Sequence, residues 1–454
     1  MPLHNNSTPL PVYLPSFFRD RKIMNVMPIR WGLPLLTLVA AAPLSAQVGT
    51  GCINELSGQD CDQQLNTITT AVPFLMISPD SRAGGMGDGG VAVSGDANAI
   101  HWNPSKLAFA ENESEFRMSY SPWLRNLVPD MSMAYLAGYK KLANNRSAIG
   151  GSLRYFNLGS IQFTDINGQA IRDFKPAEFA IDLTFSQKLS NRTAGGITLR
   201  YVNSNLTGGL NVSGANTKAG QTVAADVSFY YIKDDLQFGQ KDGEFAFGVN
   251  VSNVGAKMSY SDAAKRDFIP MNLRMGPRWT LNMDEYNSLT FNLDVNKLLV
   301  PTPPVYLLDS SGNVAKDDQG NLIIASGEDP NRGVAAGMIG SFSDAPGVVF
   351  YDENGGVQVE SGSKLREEMR EINFGTGFEY WNAKQFAFRG GYFWEHFTNG
   401  NRKYVTLGAG LRYKVFSLDL SYLIANTQRS PLANTLRFTI GFNFDGKRKK
   451  TEVE

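Results

Sequence analysis

The chain has 454 residues, 42% of them apolar and 19% charged, and its 43 basic residues balance its 43 acidic residues. This composition excludes a disordered chain, and the neutral balance argues against binding of nucleic acid through a basic patch. No run of about 18 apolar residues follows the N-terminal region, which argues against a membrane protein built from helices. The 45 glycines and the 11% of aromatic residues are typical of β-barrels.

The N-terminal region has the pattern of an export signal. A basic stretch precedes the apolar run 31–43, and Ser45-Ala46 offers a cleavage site. The apolar run is too short to serve as a membrane anchor. We therefore predict that residues 1–46 form a signal peptide, with Met24 or Met27 as an alternative start.

Cys52 and Cys61 are the two cysteines of the chain. An exported protein reaches an oxidising compartment, where these two residues can pair, so we predict a Cys52–Cys61 disulfide. Lipidation of Cys52 is an alternative, although the preceding stretch 49–51 lacks the leucine of a lipidation signal. A metal site is disfavoured because no histidine lies nearby.

Residues 47–114 are rich in Gly, Asp, Ser and Asn and form a predicted N-terminal segment, either periplasmic or plugging a barrel. The glycine spacing within 85–90 matches a dinucleotide fingerprint, but no buried strand precedes it, and backbone turns with positive φ are the better interpretation. Asn103-Pro104 is expected to begin a tight turn that lets Trp102 pack against a barrel wall.

From residue 115 onward, fourteen segments alternate between apolar and polar residues. In the last, 436–444, Leu, Phe, Ile, Phe and Phe share one face, which suits a surface solvated by lipid. Each segment is near the roughly 9–11 residues that a tilted strand needs to cross a bilayer. The predicted strands are 115–121, 131–140, 147–157, 178–189, 193–204, 223–232, 244–251, 271–282, 288–296, 371–380, 385–393, 403–413, 416–424 and 435–444.

The connections between these strands alternate between long and short. Short periplasmic turns, long external loops and an even strand count are the signature of an outer-membrane barrel, whereas a β-sandwich has no reason to keep this parity. We therefore predict an all-β fold, a 14-stranded antiparallel transmembrane β-barrel over 115–444. Both termini, including the basic tail 445–454, are expected in the periplasm.

The polar faces of the strands are predicted to line the lumen. Charges facing lipid would cost about 2–4 kcal/mol each at the midplane, so their sorting to one face supports this assignment. We expect ion pairs across the lumen and some internal filling, and we interpret Pro277 as a bulge or kink. The predicted lumenal charges are Arg117, Lys140, Arg154, Arg200, Arg274, Arg278, Arg389, Arg412 and Arg437, with Asp182, Asp226, Asp294, Glu379 and Asp419.

The longest connection, 297–370, is the candidate partner-binding loop. Its apolar start contains Val305, Tyr306, Leu307 and Leu308, which would form an exposed tip suited to docking on another protein. A loop folded over its own barrel mouth is an equal alternative. The end of the loop has helix-forming composition.

Residues for catalysis or metal binding are sparse. His101 and His396 have no neighbouring ligands at metal-site spacing, no nucleophile elbow occurs, and the match Ser361 to Lys364 lacks supporting motifs. We therefore predict no enzymatic activity, no cofactor, no metal and no nucleic-acid partner.

Two stretches in the N-terminal segment are distinctive: PFLMISPDSRAGGMGD at 73–88 and DANAIHWNPSKLAF at 96–109. Together they closely resemble the PorV family, outer-membrane components of the type IX secretion system of Bacteroidetes-type bacteria. That family is itself similar to the FadL-type transporters, whose Asn-Pro-Ala motif corresponds here to Asn103-Pro104-Ser105.

The resemblance implies a non-enzymatic barrel in outer-membrane lipid. Such a barrel binds the C-terminal signal domains of secreted cargo, docks on the type IX translocon protein and carries cargo to an attachment complex with a sortase-like subunit. The runner-up is a FadL-like transporter of hydrophobic small molecules, which requires an apolar tunnel. An enzyme that modifies membrane lipid is a more distant third. The resemblance assigns no binding residue beyond the N-terminal motif.

Overall fold

The computed structural model describes residues 65–444 except 126, 165–166, 213–214, 263–265, 310, 352–356 and 427–429. The predicted signal peptide 1–46, the predicted Cys52–Cys61 disulfide and the basic tail 445–454 lie outside the described residues. Within the described residues, no helix is long and apolar enough to cross a membrane.

Fourteen antiparallel strands of the described chain close into one barrel, which confirms the predicted fold class. Each strand pairs with its neighbours in sequence, and β1 pairs with β14, so that Glu115 lies opposite Asn443 and Tyr120 opposite Phe438. This closure leaves the sheet without a free edge. The strands are β1 (Ser114–Pro122), β2 (Ser132–Lys141), β3 (Ser147–Asn157), β4 (Ala177–Lys188), β5 (Thr193–Asn205), β6 (Gly220–Phe238), β7 (Lys241–Gly255), β8 (Asn272–Asn282), β9 (Ser288–Leu298), β10 (Asn373–Asn382), β11 (Phe386–Trp394), β12 (Lys403–Tyr413), β13 (Phe416–Ala425) and β14 (Thr435–Phe444).

Side chains alternate along the strands between an apolar outer face and a polar lumen. On β1, Phe116, Met118 and Tyr120 are exposed, whereas Glu115 and Arg117 between them are buried. Because successive side chains of a strand point to opposite faces, the apolar set of a strand such as β1 forms a surface for lipid. On β2 three large apolar side chains are instead buried inside the barrel, namely Met133, Tyr135 and Tyr139.

The observed strands match the predicted segments closely except for β6 and β7. These two extend beyond the predicted 223–232 and 244–251 and form one long hairpin with bulges between Ala225 and Val227 and between Lys233 and Leu236. The charged stretch that follows residue 232 breaks the alternation on which the prediction depended.

Pro277 does not produce the predicted bulge. Met275 pairs with Val295 and Arg278 with Asn292 in one unshifted register, and the two pairs between them are missing. Proline has no N–H to donate, so the ladder to β9 is interrupted without a change of register.

The long connections leave one end of the barrel, here called the loop end, and the short turns leave the other, here called the turn end. Three connections carry four small hairpins between them, and the longest, 299–372, carries two of these hairpins and two helices. These elements are Ile161–Thr164 with Ala170–Phe174, Asn211–Val212 with Ala215–Asn216, Val305–Tyr306 with Ile324–Ser326, and Val349–Tyr351 with Val357–Val359, then α3 (Val334–Gly340), α4 (Ser363–Arg370) and the 3₁₀ turn Phe397–Asn399.

Residues 65–113, here called the lumenal segment, precede β1, and most of residues 71–110 are buried inside the barrel. They contain the short helices α1 (Ser81–Gly84) and α2 (Ala99–Trp102) and the 3₁₀ turns Pro73–Met76 and Pro104–Phe109. An apolar cluster packs Phe74 and Leu75 against strand residues such as Met133 and Phe156. The barrel core is therefore built by the lumenal segment together with the wall.

Candidate functional site

Arg82 of helix α1 connects the lumenal segment to the barrel wall. Its guanidinium donates to both carboxylate oxygens of Glu379 on β10, at 2.9 and 2.7 Å, and to Asp96 at 3.2 Å. All three side chains are buried. A bidentate Arg–carboxylate pair fixes orientation as well as distance, so helix α1 is held in one position against β10.

The same network continues around the wall. Arg389 on β11 contacts Glu379 at 2.7 Å and Asp419 on β13 at 2.7 Å. Arg117 on β1 contacts Asp419 at 3.1 Å and Glu115 at 2.5 Å. Charges on β1, β10, β11, β13 and the lumenal segment thus form one buried set.

This set bears on the expectation of an apolar tunnel through the lumen. Removing one partner of a buried ion pair costs about 3–5 kcal/mol, since the other charge is left without compensation. A segment held in this way occupies the lumen of the described barrel. The apolar tunnel that a conduit for hydrophobic molecules requires is therefore not what these residues build.

A second buried set lies within the wall alone. Arg200 on β5 contacts Asp182 on β4 at 2.7 Å and Asp226 on β6 at 3.1 Å. The expectation that Lys140 also faces the lumen is wrong, because Lys140 is exposed while its neighbour Tyr139 is buried. Lys140 lies at the turn end of β2, where a charge on the outer face can reach the aqueous rim.

The predicted motif Trp102-Asn103-Pro104 lies in the middle of the lumenal segment. The amide of Asn103 donates to the carbonyl oxygens of Val91 and Phe229, both at 3.0 Å. Its side-chain oxygen accepts the Ser105 N–H at 3.2 Å and caps the 3₁₀ turn that Pro104 begins. Asn103 therefore joins two parts of the lumenal segment to strand β6.

Trp102 is 2% exposed. Its indole N–H donates to Asp80 at 2.6 Å, and the guanidinium of Arg274 on β8 lies 4.3 Å from the centre of its ring. The position of Gly90 leaves no room for a side chain, since a methyl group there would lie 2.4 Å from the Trp102 ring. The motif thus contributes packing and hydrogen bonds inside the barrel rather than a surface for a partner.

The glycine-rich stretch of the lumenal segment packs backbone against backbone. Gly87 has φ +70°, and a methyl group there would lie 2.4 Å from the Thr376 carbonyl oxygen. Gly391 on β11 faces it, where a methyl group would lie 2.1 Å from the Gly87 nitrogen. Close approach and a positive φ explain these glycines without a nucleotide.

The predicted docking residues Val305 to Leu308 do not form an exposed tip. All four are half-buried, and Val305 and Tyr306 pair with the strand Ile324–Ser326. This stretch therefore packs within its own loop, and the alternative of a loop folded over its own barrel mouth stays a prediction.

Exposed apolar side chains lie elsewhere in the same loop. Ile339 on α3 is 77% exposed and Phe342 just after it 53%, while Leu365 and Met369 on α4 are 69% and 59% exposed. We call these four residues the loop surface. The spacing of four between Leu365 and Met369 was a signal for one helical face, whereas the glycine-rich sequence around Ile339 gave none.

A buried carboxylate cluster holds α4 against the barrel. The ammonium of Lys297 on β9 contacts Glu371 at 2.5 Å and Glu368 at 3.1 Å. Glu371 also accepts from the Thr302 hydroxyl at 2.7 Å, and Glu368 from the Ala345 N–H at 2.9 Å. Burial raises the pKa of Glu371 to about 7, against the lowering effect of Lys297.

The two histidines of the described chain take part in ordinary contacts. The Nδ1 atom of His101 lies 2.7 Å from the Arg154 guanidinium, and that of His396 lies 2.8 Å from the Thr398 hydroxyl. Burial, with Arg370 and Lys403 nearby, lowers the pKa of His396 to about 4. Among the described residues, no group of His, Cys, Asp and Glu is arranged to hold a metal ion.

The chain is similar to one protein family and to several solved structures. The family model described as type IX secretion system protein PorV matches residues 59–305, more than half of the chain. No curated protein matches the chain by sequence.

The toluene transporter TodX of P. putida is 11% identical, with a TM-score of 0.42, and the match covers 82% of this chain and 99% of that chain. The CymD monoaromatic hydrocarbon channel is 12% identical, with a TM-score of 0.43 and coverage of 81% and 98%. A Pseudomonas aeruginosa FadL homologue is 10% identical, with a TM-score of 0.40 and coverage of 84% and 100%.

Proposed function

The chain belongs to the PorV family of type IX secretion system proteins, and from that premise we propose that it carries secreted cargo between two assemblies of the outer membrane. In this function it binds the C-terminal signal domains of cargo, docks on the translocon protein and delivers the cargo to an attachment complex with a sortase-like subunit. The family match over residues 59–305 is the observation that carries the proposal.

The barrel architecture supports a location in the outer membrane. A closed antiparallel barrel with an even strand number and an apolar outer face is the structure of an outer-membrane protein. In such barrels the short turns face the periplasm and the long loops face outward. The loop end then faces the cell exterior, and β14 ends in the periplasm at Phe444.

A plugged barrel suits a docking protein better than a conduit. The ion pairs of Arg82 and the anchor at Asn103 hold the lumenal segment against the wall. In the proposed function, binding takes place on the surface of the barrel and the role is non-enzymatic.

The loop surface is the proposed contact with the translocon protein. Its four large apolar side chains are exposed in one connection at the loop end, and large exposed apolar side chains are used in protein interfaces. The cluster of Lys297, Glu368 and Glu371 holds α4 in place before the partner arrives. A rigid surface loses less conformational entropy on binding.

The function is tested by secretion assays in the native bacterium. Deletion of the gene is expected to trap type IX cargo inside the cell, and complementation with the wild-type gene to restore secretion. Normal cargo secretion by the deletion strain would overturn the proposal.

The loop surface is tested by charge substitutions in the complementing gene. Ile339→Asp together with Phe342→Asp is expected to leave the barrel folded, to reduce co-purification of the translocon protein and to reduce cargo release. Leu322→Asp is the matched control, because Leu322 is an exposed apolar residue of the same loop outside the loop surface. Equal secretion by the double variant and the control would remove the loop surface from the interface.

A further inference from the structure

The lumenal segment begins among the long loops. The Asn66 N–H donates to the Thr398 carbonyl oxygen at 3.2 Å, and its side-chain amide donates to Pro303 O at 3.3 Å and to Glu367 at 2.7 Å. A few residues later, the Ala71 N–H donates to Phe268 O at 2.8 Å. These partners belong to three different connections, all of which leave the loop end.

The same segment ends among the short turns. Lys141, at the turn end of β2, donates from its ammonium to Ala110 O and from its backbone N–H to Glu113 O. The ammonium of Lys188, the last residue of β4, lies 4.7 Å from the centre of the Phe109 ring. Residue 114 then starts β1 at this end.

The contacts between these ends follow the wall from one end to the other. Phe74 O and Leu75 O accept from Arg154 near the loop end of β3. The Ser105 carbonyl accepts from Ser186 near the turn end of β4. Because β1 and β14 pair and close the sheet, a chain with its ends at opposite mouths must pass through the lumen.

We propose that the chain enters its own barrel from the cell surface, so that Leu65 and Thr67 face the same medium as the long loops. The side of the membrane rests on the orientation given under Proposed function, whereas the grouping of Leu65 with the long loops rests on the contacts alone. At residues 65–67 the proposal differs from the expectation that the lumenal segment starts in the periplasm. The C-terminal end of the barrel stays at the turn end.

This path gives the start of the lumenal segment a role in the docking face. Asn66 bridges the connections that contain Pro303, Glu367 and Thr398, and Glu367 lies on α4 beside the loop surface. The segment therefore acts as a strap across the loops. A partner that docks at the loop end meets Leu65, which is 60% exposed, together with the loop surface.

The path is tested by labelling single cysteines in intact cells with a polyethylene glycol maleimide too large to cross the outer membrane. Leu65→Cys and Thr67→Cys are introduced separately in a Cys52→Ser, Cys61→Ser background. Asp318→Cys marks the long loop and Glu285→Cys marks a short turn, since both residues are exposed. The Leu65→Cys and Thr67→Cys variants are the two reporters of the path, and using both ensures that a folding defect at one position does not decide the result.

The proposal expects both reporters and Asp318→Cys to be labelled in intact cells, and Glu285→Cys only after the outer membrane is permeabilised. Labelling of Asp318→Cys with both reporters protected until permeabilisation would overturn the path through the lumen. If Glu285→Cys is labelled in intact cells and Asp318→Cys is not, the barrel has the opposite orientation in the membrane. The proposed exposure of Leu65 and Thr67 at the cell surface is then wrong as well. The two failures are thus distinguishable.

Discussion

Arg82→Met should loosen the lumenal segment without opening the barrel. Methionine keeps much of the apolar bulk of arginine and removes the contacts with Glu379 and Asp96. Each carboxylate keeps a second cation, because Glu379 still faces Arg389 at 2.7 Å and Asp96 still faces Arg117 at 3.6 Å. The barrel strands keep all their backbone pairs.

The free-energy cost of Arg82→Met follows from the burial of the ion pairs that it removes. Breaking a buried pair costs about 3–5 kcal/mol, and the remaining cations place this variant near the lower end, at about 3 kcal/mol. Each 1.4 kcal/mol or so is a factor of about ten in an equilibrium constant, so the opening equilibrium of the segment should rise roughly a hundredfold. An exposed pair provides the contrast: Arg192 and Asp235 are 2.8 Å apart with side chains 48% and 59% exposed. Breaking that pair should cost about 0–1 kcal/mol.

Amide hydrogen exchange read by mass spectrometry measures the opening directly. Peptides covering 81–94 should exchange much faster in Arg82→Met than in the wild type, whereas Arg192→Met should match the wild type and strand peptides should be unchanged in both. Combining Arg82→Met with Glu379→Gln should give less than the sum of the single effects, since both remove the same contact. Strict additivity, or unchanged exchange in Arg82→Met, would refute the assigned role of the ion pair.

Three further variants test other parts of the structure. Asn103→Ala removes two hydrogen bonds to backbone carbonyls and should cost about 2 kcal/mol, seen as faster exchange over 98–109 and contradicted by unchanged exchange there. Gly87→Ala puts a side chain on a residue with left-handed backbone conformation, which costs about 1–2 kcal/mol before any clash. This variant should lower the yield of heat-modifiable barrel. A wild-type yield would argue against the close packing at Gly87. Glu371 has a folded-state pKa of about 7, above its ordinary 4.5. As pH rises from about 5 through 7, its carboxyl is therefore deprotonated more readily in the unfolded state than in the folded state, and α4 should lose stability over this range. Trypsin cleavage within α4, corrected with a reference peptide, should therefore increase with pH in the wild type and increase less in Glu371→Gln; identical pH profiles would contradict this assignment.

Alternation along the chain was sufficient to predict the barrel because each strand has lipid on one side and a polar lumen on the other. Segment 435–444 was predicted with the observed bounds of β14, and its closure with β1 follows from an even series without an edge. The alternation of apolar and polar residues is a weaker signal where a strand extends beyond the membrane. The extension of β6 beyond residue 232 is charged and was therefore missed.

The alternation of apolar and polar residues along the chain does not predict which wall residues the lumenal segment contacts. The pairing of Arg82 with Glu379 joins residues 297 positions apart, and local sequence carries no signal for such a distance. The same limit applies to the loops. The apolar run 305–308 predicts an exposed tip, but Val305 and Tyr306 pair in a hairpin and all four residues are half-buried. Lys140 lies on the outer face because the opposite face of β2, with Tyr135 and Tyr139, packs against the lumenal segment, and the alternation within one strand does not tell which face points inward.

The most direct test of the account is a photo-cross-linking amino acid at Leu365, an exposed residue of the loop surface, in cells that secrete type IX cargo. The account predicts an adduct with the translocon protein from Leu365 and a much weaker one from the control position Leu322. No translocon adduct from Leu365, or equal adducts from both positions in a strain that secretes cargo normally, would contradict docking through the loop surface.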